Sequence, residues 1–234
     1  MDKFNREENN SQELIISALS HDLRSPLSVI NMLAGAIKNV LEEDKNNTED
    51  AIKMSEMIME KSSSMMFMLE NLLKYCKMCS INPVIEEIDL NEIVNDCINQ
   101  EMVLSEGRNV VTQKSALPCI MGDRILVKTV FANVISNAVK FTATREKAEI
   151  TVTFTENEKY IIVSVKDNGV GFDMKNRDNL FGIFKRFHSS DEFEGTGVGL
   201  AIVDRIMKIH KGKVEAFGEE GKGAEFLLYF PKIK

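Results

Sequence analysis

His21 is followed at once by Asp22, with Ser25 and Pro26 four and five positions on, inside the run Ser20–Leu27. Imidazole is nucleophilic near neutral pH, where lysine is protonated, so an exposed histidine can accept an electrophilic group. Asp22 is placed to orient that ring or to take its proton. Further along, Asn133, Asn137 and Lys140 stand at i, i+4 and i+7, which on a helix puts two amide oxygens and one ammonium on one face. That set suits Mg2+ with phosphate, the bland alternative being a polar outer helix face. Asp167-Asn168-Gly169-Val170-Gly171 follows a strand-like stretch. Its glycines permit close backbone approach, and its carboxylate can accept from an amine such as adenine's; a plain turn is the alternative. Gly195-Thr196-Gly197-Val198-Gly199-Leu200 leads into a helix, where backbone N–H groups and the helix dipole favour phosphate. It is neither a Rossmann turn, lacking the parallel βαβ unit, nor a Walker loop, lacking Gly-Lys-Ser/Thr. Phe181-x-x-Phe184-x-Arg186-Phe187 lies between the two glycine clusters, and the segment Phe172–Glu194 reads as a lid held by its phenylalanines.

The elements that position these residues follow from apolar spacing. Leu19, Leu23, Leu27, Ile30, Leu33, Ile37 and Leu41 recur at threes and fours, which predicts a helix from Ser11 to about Leu41. His21 then projects roughly 160–200° from that stripe, towards solvent, with Ser25 on its own face. Pro26 cannot donate to the carbonyl of Asp22 and is expected to bend the helix there. After a polar turn, Thr48 is the expected N-cap of a second helix with Ala51, Met54, Ile58, Met65, Leu69, Leu72, Cys76 and Cys79 on its apolar side. Two such helices form a hairpin that cannot cover both stripes alone, so pairing with a second copy into a four-helix bundle is expected. The Met54–Met68 run reads as a deformable seam, or alternatively as a ligand groove.

Asn82-Pro83 breaks the pattern. The expected division is a flexible stretch at 1–12, a helical hairpin at 13–80, a linker at 81–88 and a second domain at 89–234. In that domain Asp89 and Glu92 cap a helix reaching Leu104, and Gly122-Asp123 opens another through Lys140. Short strands are expected at 110–113 and 119–121, with hairpins at 149–166 and 213–230. Gly199–His210 is a helix, with His210 favourably placed at its C-terminus and Gly212 as its stop. The fold class is α+β, a two-layer sandwich behind the hairpin.

At 234 residues with 44% apolar content the chain can build two cores, and a formal charge of −7 argues against nucleic acid. No window reaches the roughly 20 apolar residues of a membrane span, and free thiols suit the cytoplasm. Cys76-x-x-Cys79 has no second pair and no neighbouring histidine, so packing or free thiols are expected over zinc or redox work.

Taken together, the chain from about Gln12 to Pro231 resembles the two-component sensor histidine kinases. His21–Leu27 matches their phosphoacceptor box, Asn133–Lys140 their asparagine box, Asp167–Gly171 and Gly195–Gly199 their glycine boxes and Phe181–Phe187 their phenylalanine box. Arg186-Phe187-His188 and Glu192–Gly197 look most like the phytochrome-type branch. The resemblance implies a homodimer and a Bergerat-type ATP site. In it Asp167, Gly169, Gly171, Gly195, Thr196, Gly197, Gly199 and Leu200 line the nucleotide, and Lys140 and Arg186 meet its phosphates. Asn137 and Asn133 would hold Mg2+. It further implies a protein histidine kinase in which His21 takes the γ-phosphoryl group and passes it to a response-regulator receiver domain. Ser25 occupies the position linked to dephosphorylation of that regulator, where many relatives carry Thr or Asn. No stretch reads as a sensor, so the input is expected from a missing segment, another chain or the short N-terminus. The alternatives are a different ATPase or kinase on the same fold and a non-catalytic nucleotide-binding scaffold.

Overall fold

The computed structural model describes residues 23–42, 48–78, 82–183, 193 and 197–232. The chain divides into two units, Met1–Lys74 and Tyr75–Lys234. In the first, helix α1 covers 23–42, with Pro26 inside it and Leu33 buried. Helix α2 runs Thr48–Met78, with Glu49 and Asp50 in its first turn, where they complement the helix dipole. Thr48, expected as the cap, is instead the first helical residue, a shift of one position at a boundary that propensity defines poorly. Ala51, Met54, Ile58, Met65 and Leu72 are half-buried, as their spacing predicts. A second apolar stripe, not anticipated, lies roughly 100° round the helix: Ile52, Met59, Met66 and Leu73, exposed by 58%, 66%, 64% and 58%.

In the second unit five strands form one sheet in the order β2 (Val110–Lys114), β4 (Ala148–Glu156), β5 (Tyr160–Asp167), β7 (Gly223–Pro231), β6 (Lys213–Glu219). Only the β2–β4 pair is parallel. Alternation decides the faces: Ile150 and Val152, Val163 and Val165, Val214 and Ala216, and Phe226, Leu228 and Phe230 point inwards and are buried. Helices α3 (Leu90–Leu104), α4 (Arg124–Phe141) and α5 (Gly199–Ile209) share that core. The α+β two-layer class is thus as expected.

Glu86–Ile88, assigned above to a linker, begin strand β1 (Glu86–Asp89), which pairs antiparallel with β3 (Cys119–Gly122). Ile88 is fully buried opposite Ile120. Four residues directly after Asn82-Pro83 are too few for alternation to be legible. Asp89 caps α3 by accepting from Asn91 N–H, but Glu92 does not reach back; it pairs with Arg124 at 2.8 Å.

The placement of α4 depends on its cap. Asp123 Oδ1 accepts from Ile125 and Leu126 N–H at 3.0 and 3.1 Å, and Oδ2 accepts from Val84 N–H at 2.9 Å. Asp123 N–H donates to His210 Nε2 at 2.9 Å, while His210 Nδ1 meets Ile206 O at 2.8 Å. A ring whose Nε2 accepts carries its proton on Nδ1. His210 is therefore a buried ring that joins the start of α4 to the end of α5. The left-handed residue that stops α5 is Lys211, φ 56°, rather than Gly212.

Candidate functional site

Helix α4 supplies the first wall. Leu126, Val127, Val130, Phe131, Val134, Ile135, Ala138 and Val139 are buried. That stripe leaves Asn133, Asn137 and Lys140 together on a half-buried flank. Asn133 Nδ2 donates to Thr129 O at 2.8 Å, which fixes the amide and leaves its oxygen as the outward acceptor. That oxygen faces the start of α5: a Cβ added to Gly199 would lie 2.7 Å from Asn133 Oδ1. Two clusters more than sixty residues apart in sequence thus meet. Lys140 Nζ stands 4.2 Å from the centroid of the Phe141 ring, and Phe141 packs edge-on against Phe193 at 5.1 Å.

Asp167 closes β5 and is 4% exposed. Its Oδ1 accepts from Gly169 N–H at 2.8 Å and Ala224 N–H at 3.2 Å. Burial pushes the carboxyl up from its ordinary 3.8 to about 6; those two N–H groups and the charge of Arg145 oppose the rise. A carboxyl kept buried, with both backbone donors on one oxygen, has the other oxygen available to a ligand. The glycines beside it serve close approach. A Cβ on Gly169 would sit 2.5 Å from Phe141 O, and one on Gly171, at φ +66°, would collide with Glu219 O. The expected roles of these glycines as ligand approach points therefore come with an equal packing demand.

Helix α5 begins with no side-chain cap among the described residues; Val198 occupies the cap position and Gly197 precedes it at φ +69°. The first N–H groups of a helix have no acceptor within it and suit an anion. Leu200 is half-buried and packs on the core. The descending segment after Gly171 is anchored where it is described. Phe172 is buried and lies so close to Gly218 that a Cβ there would meet the ring at 2.5 Å. A 3-10 turn follows at Met174–Asn179, and Phe181, Ile183 and Phe193 return to the core.

Ser25 is exposed on α1. His21, Asp22, Arg186, Gly195, Thr196, Phe184, Phe187 and His188 lie outside the described residues, as do Cys79 and the side chain of Cys76. Three features of the site had no sequence signal. Among the described residues the Arg145 guanidinium donates to backbone oxygens, Gly223 adopts φ +109° against Asp167 O, and the Phe141–Phe193 contact joins residues in different clusters.

Residues 122–234 match the family described as histidine kinase-, DNA gyrase B-, and HSP90-like ATPase. The chain is 28% identical, over 91% of its length, to the phytochrome-like protein Cph1 of Synechocystis sp., of which it covers 28%. It spans about a quarter of the curated relatives it first matches. Two solved structures share the fold. Histidine kinase ThkA in complex with response regulator protein TrrA superposes with a TM-score of 0.67 at 21% identity, over 97% of this chain and 64% of that one. Full-length ShkA in complex with AMPPNP gives 0.60 at 24%, over 93% and 46%. Fold, site geometry and relatives agree: residues 122–234 carry the histidine kinase-, DNA gyrase B-, and HSP90-like ATPase domain, and the chain is similar to sensor histidine kinases along most of its length.

Proposed function

We propose that this chain autophosphorylates His21 from ATP and passes the phosphoryl group to an aspartate of a response regulator. The observation that carries the reading is the meeting of Asn133 Oδ1 with the uncapped start of α5, in the unit that also buries Asp167. Asp167 accepts from the adenine amine, with Gly169 and Gly171 letting the base approach. Gly195, Thr196, Gly197, Gly199 and Leu200 lead the phosphates to the α5 N-terminus, whose N–H groups and dipole favour anions. Lys140 and Arg186 neutralise phosphate oxygens. Two amide oxygens one helical turn apart fit a hard cation, so Asn133 and Asn137 are the residues that would hold Mg2+. When bound, Mg2+ supplies charge neutralisation on the phosphate chain.

In the transfer step a His21 ring nitrogen attacks the γ-phosphorus, an N–P bond forms, the bond to the β,γ-bridging oxygen breaks and ADP leaves. Asp22 orients the ring and accepts its proton. Such a reaction needs mainly in-line positioning and charge stabilisation. An aspartate carboxylate of the regulator then attacks the same phosphorus and His21 is regenerated. Ser25, one turn along the exposed face of α1, is the residue to which a return hydrolysis would be assigned. A relative's structure with a response regulator supports that partner class, and one with AMPPNP supports the nucleotide. The exposed stripe Ile52, Met59, Met66 and Leu73, at heptad spacing, supports a homodimer through the hairpin.

Radiolabelled ATP incubated with wild type and His21→Gln tests the assignment. Acid-labile, alkali-stable label absent from the variant is the expected result. Label surviving the substitution would remove His21 as acceptor.

A further inference from the structure

Arg145 sits in the turn after α4, its N–H donating to Thr142 O at 3.0 Å. Its guanidinium makes three bonds to main-chain oxygens and none to a ligand-facing group. Nε donates to Asn168 O at 2.7 Å, and one terminal nitrogen donates to Gly169 O at 2.9 Å and to Gly221 O at 2.5 Å. One planar cation thus ties the end of the asparagine-bearing helix to two other segments: the loop that follows Asp167, and the turn between β6 and β7. The turn and the start of β7 that follows it reach the same region. Ala224 N–H donates to Asp167 Oδ1, and Gly221 N–H donates to Val170 O at 2.7 Å. The second backbone donor to that carboxylate, Gly169 N–H, belongs to a residue whose carbonyl Arg145 holds. Fixing the carbonyls of 168 and 169 orients the intervening peptide, and with it the donor that aims the carboxylate.

Resting on the nucleotide-site reading above, we propose that Arg145 is a positioning residue for base recognition: by clamping residues 168, 169 and 221 it aims Asp167, and so determines the preference for a purine bearing a 6-amino group. The fork geometry is essential, because lysine keeps the charge but cannot direct donors in one plane to three carbonyls. Arg145 also opposes the burial that disfavours the ionised carboxyl, so its loss weakens the acceptor as well as misaiming it.

The test compares binding of ATP with that of purine riboside triphosphate, which lacks the 6-amino group, by calorimetry on the full chain. Wild type is expected to prefer ATP roughly tenfold or more, the cost of losing one hydrogen bond to a charged acceptor. Arg145→Lys is expected to bring that ratio down to about threefold or less, with the analogue's affinity changed less than ATP's. Arg145→Gln is expected to do the same, and serves if the lysine variant does not fold. Equal weakening of both nucleotides would reduce Arg145 to a general structural role and overturn the proposal, as would an unchanged ratio. A wild type that binds both equally would instead overturn the assignment of Asp167 to the base, whatever the variants do.

Discussion

Asp167 is destabilising to the empty protein and useful to the filled one. Burial raises its carboxyl from 3.8 to about 6, so the unfolded chain loses that proton well before the native one does. Below about pH 4 both states hold the proton and there is no penalty. As pH rises through about 6 the native state must carry a buried charge, and stability is lost. Asp167→Asn keeps an oxygen to accept from Gly169 and Ala224 N–H while removing the charge. The variant is expected to be more stable than wild type by roughly 1–3 kcal/mol at pH 8, from a shift of about two pKa units, with the gap closing towards pH 4. Urea titrations at the two pH values check this, and ATP affinity should fall in the same variant. A variant no more stable at pH 8 than at pH 4, relative to wild type, would contradict the burial argument. This is the familiar conflict between a strained binding group and fold stability.

At the scale of elements, α4 and α5 meet where two sequence clusters meet, and the contact is testable at Gly199. Alanine at a helix start would ordinarily gain up to about 1 kcal/mol over glycine. Here its Cβ falls 2.7 Å from Asn133 Oδ1, the end of a side chain that can move away only by giving up its bond to Thr129 O, which offsets that gain. Gly199→Ala is therefore expected to leave the unfolding midpoint within about a degree or two while weakening Mg2+-dependent ATP binding about tenfold. Asn133→Ala with Gly199→Ala should be no worse than Asn133→Ala alone, a non-additivity that isothermal titration with and without Mg2+ would read. The elements themselves were largely legible, because α2, α4 and α5 carry apolar spacing that admits one period, and because Asp123 and Asp89 are strong caps. Asp167 and the asparagines were legible because their chemistry is in their side chains. Arg145 was not, since its partners are carbonyls that every residue has. The long-range role of His210 was hidden for a related reason: helix position shows one of its contacts, but Nε2 accepts from an N–H eighty-seven positions away. Strand β1 was hidden by its length.

At the scale of the molecule, the first unit differs from the second in what it leaves uncovered. The second exposes large apolar side chains at scattered places, such as Val103, Leu104 and Ile125, whereas α2 alone exposes Ile52, Met57, Met59, Met66, Leu69 and Leu73 by 40% or more along one helix. Four of these recur every seven residues, the spacing of a helical seam that needs a facing helix. Burial of one such side chain is worth about 1.5–3 kcal/mol, and a symmetric pairing buries each twice. Ile52→Glu combined with Leu73→Glu puts a charge near either end of the seam on both copies, so four charges enter one interface. Light scattering is expected to show a dimer for wild type and a monomer for the double variant. ATP affinity should stay within about twofold, because every proposed nucleotide residue lies in the second unit. A double variant that remains dimeric would move the interface off this stripe. One that loses ATP binding as well would show that the two units do not fold independently.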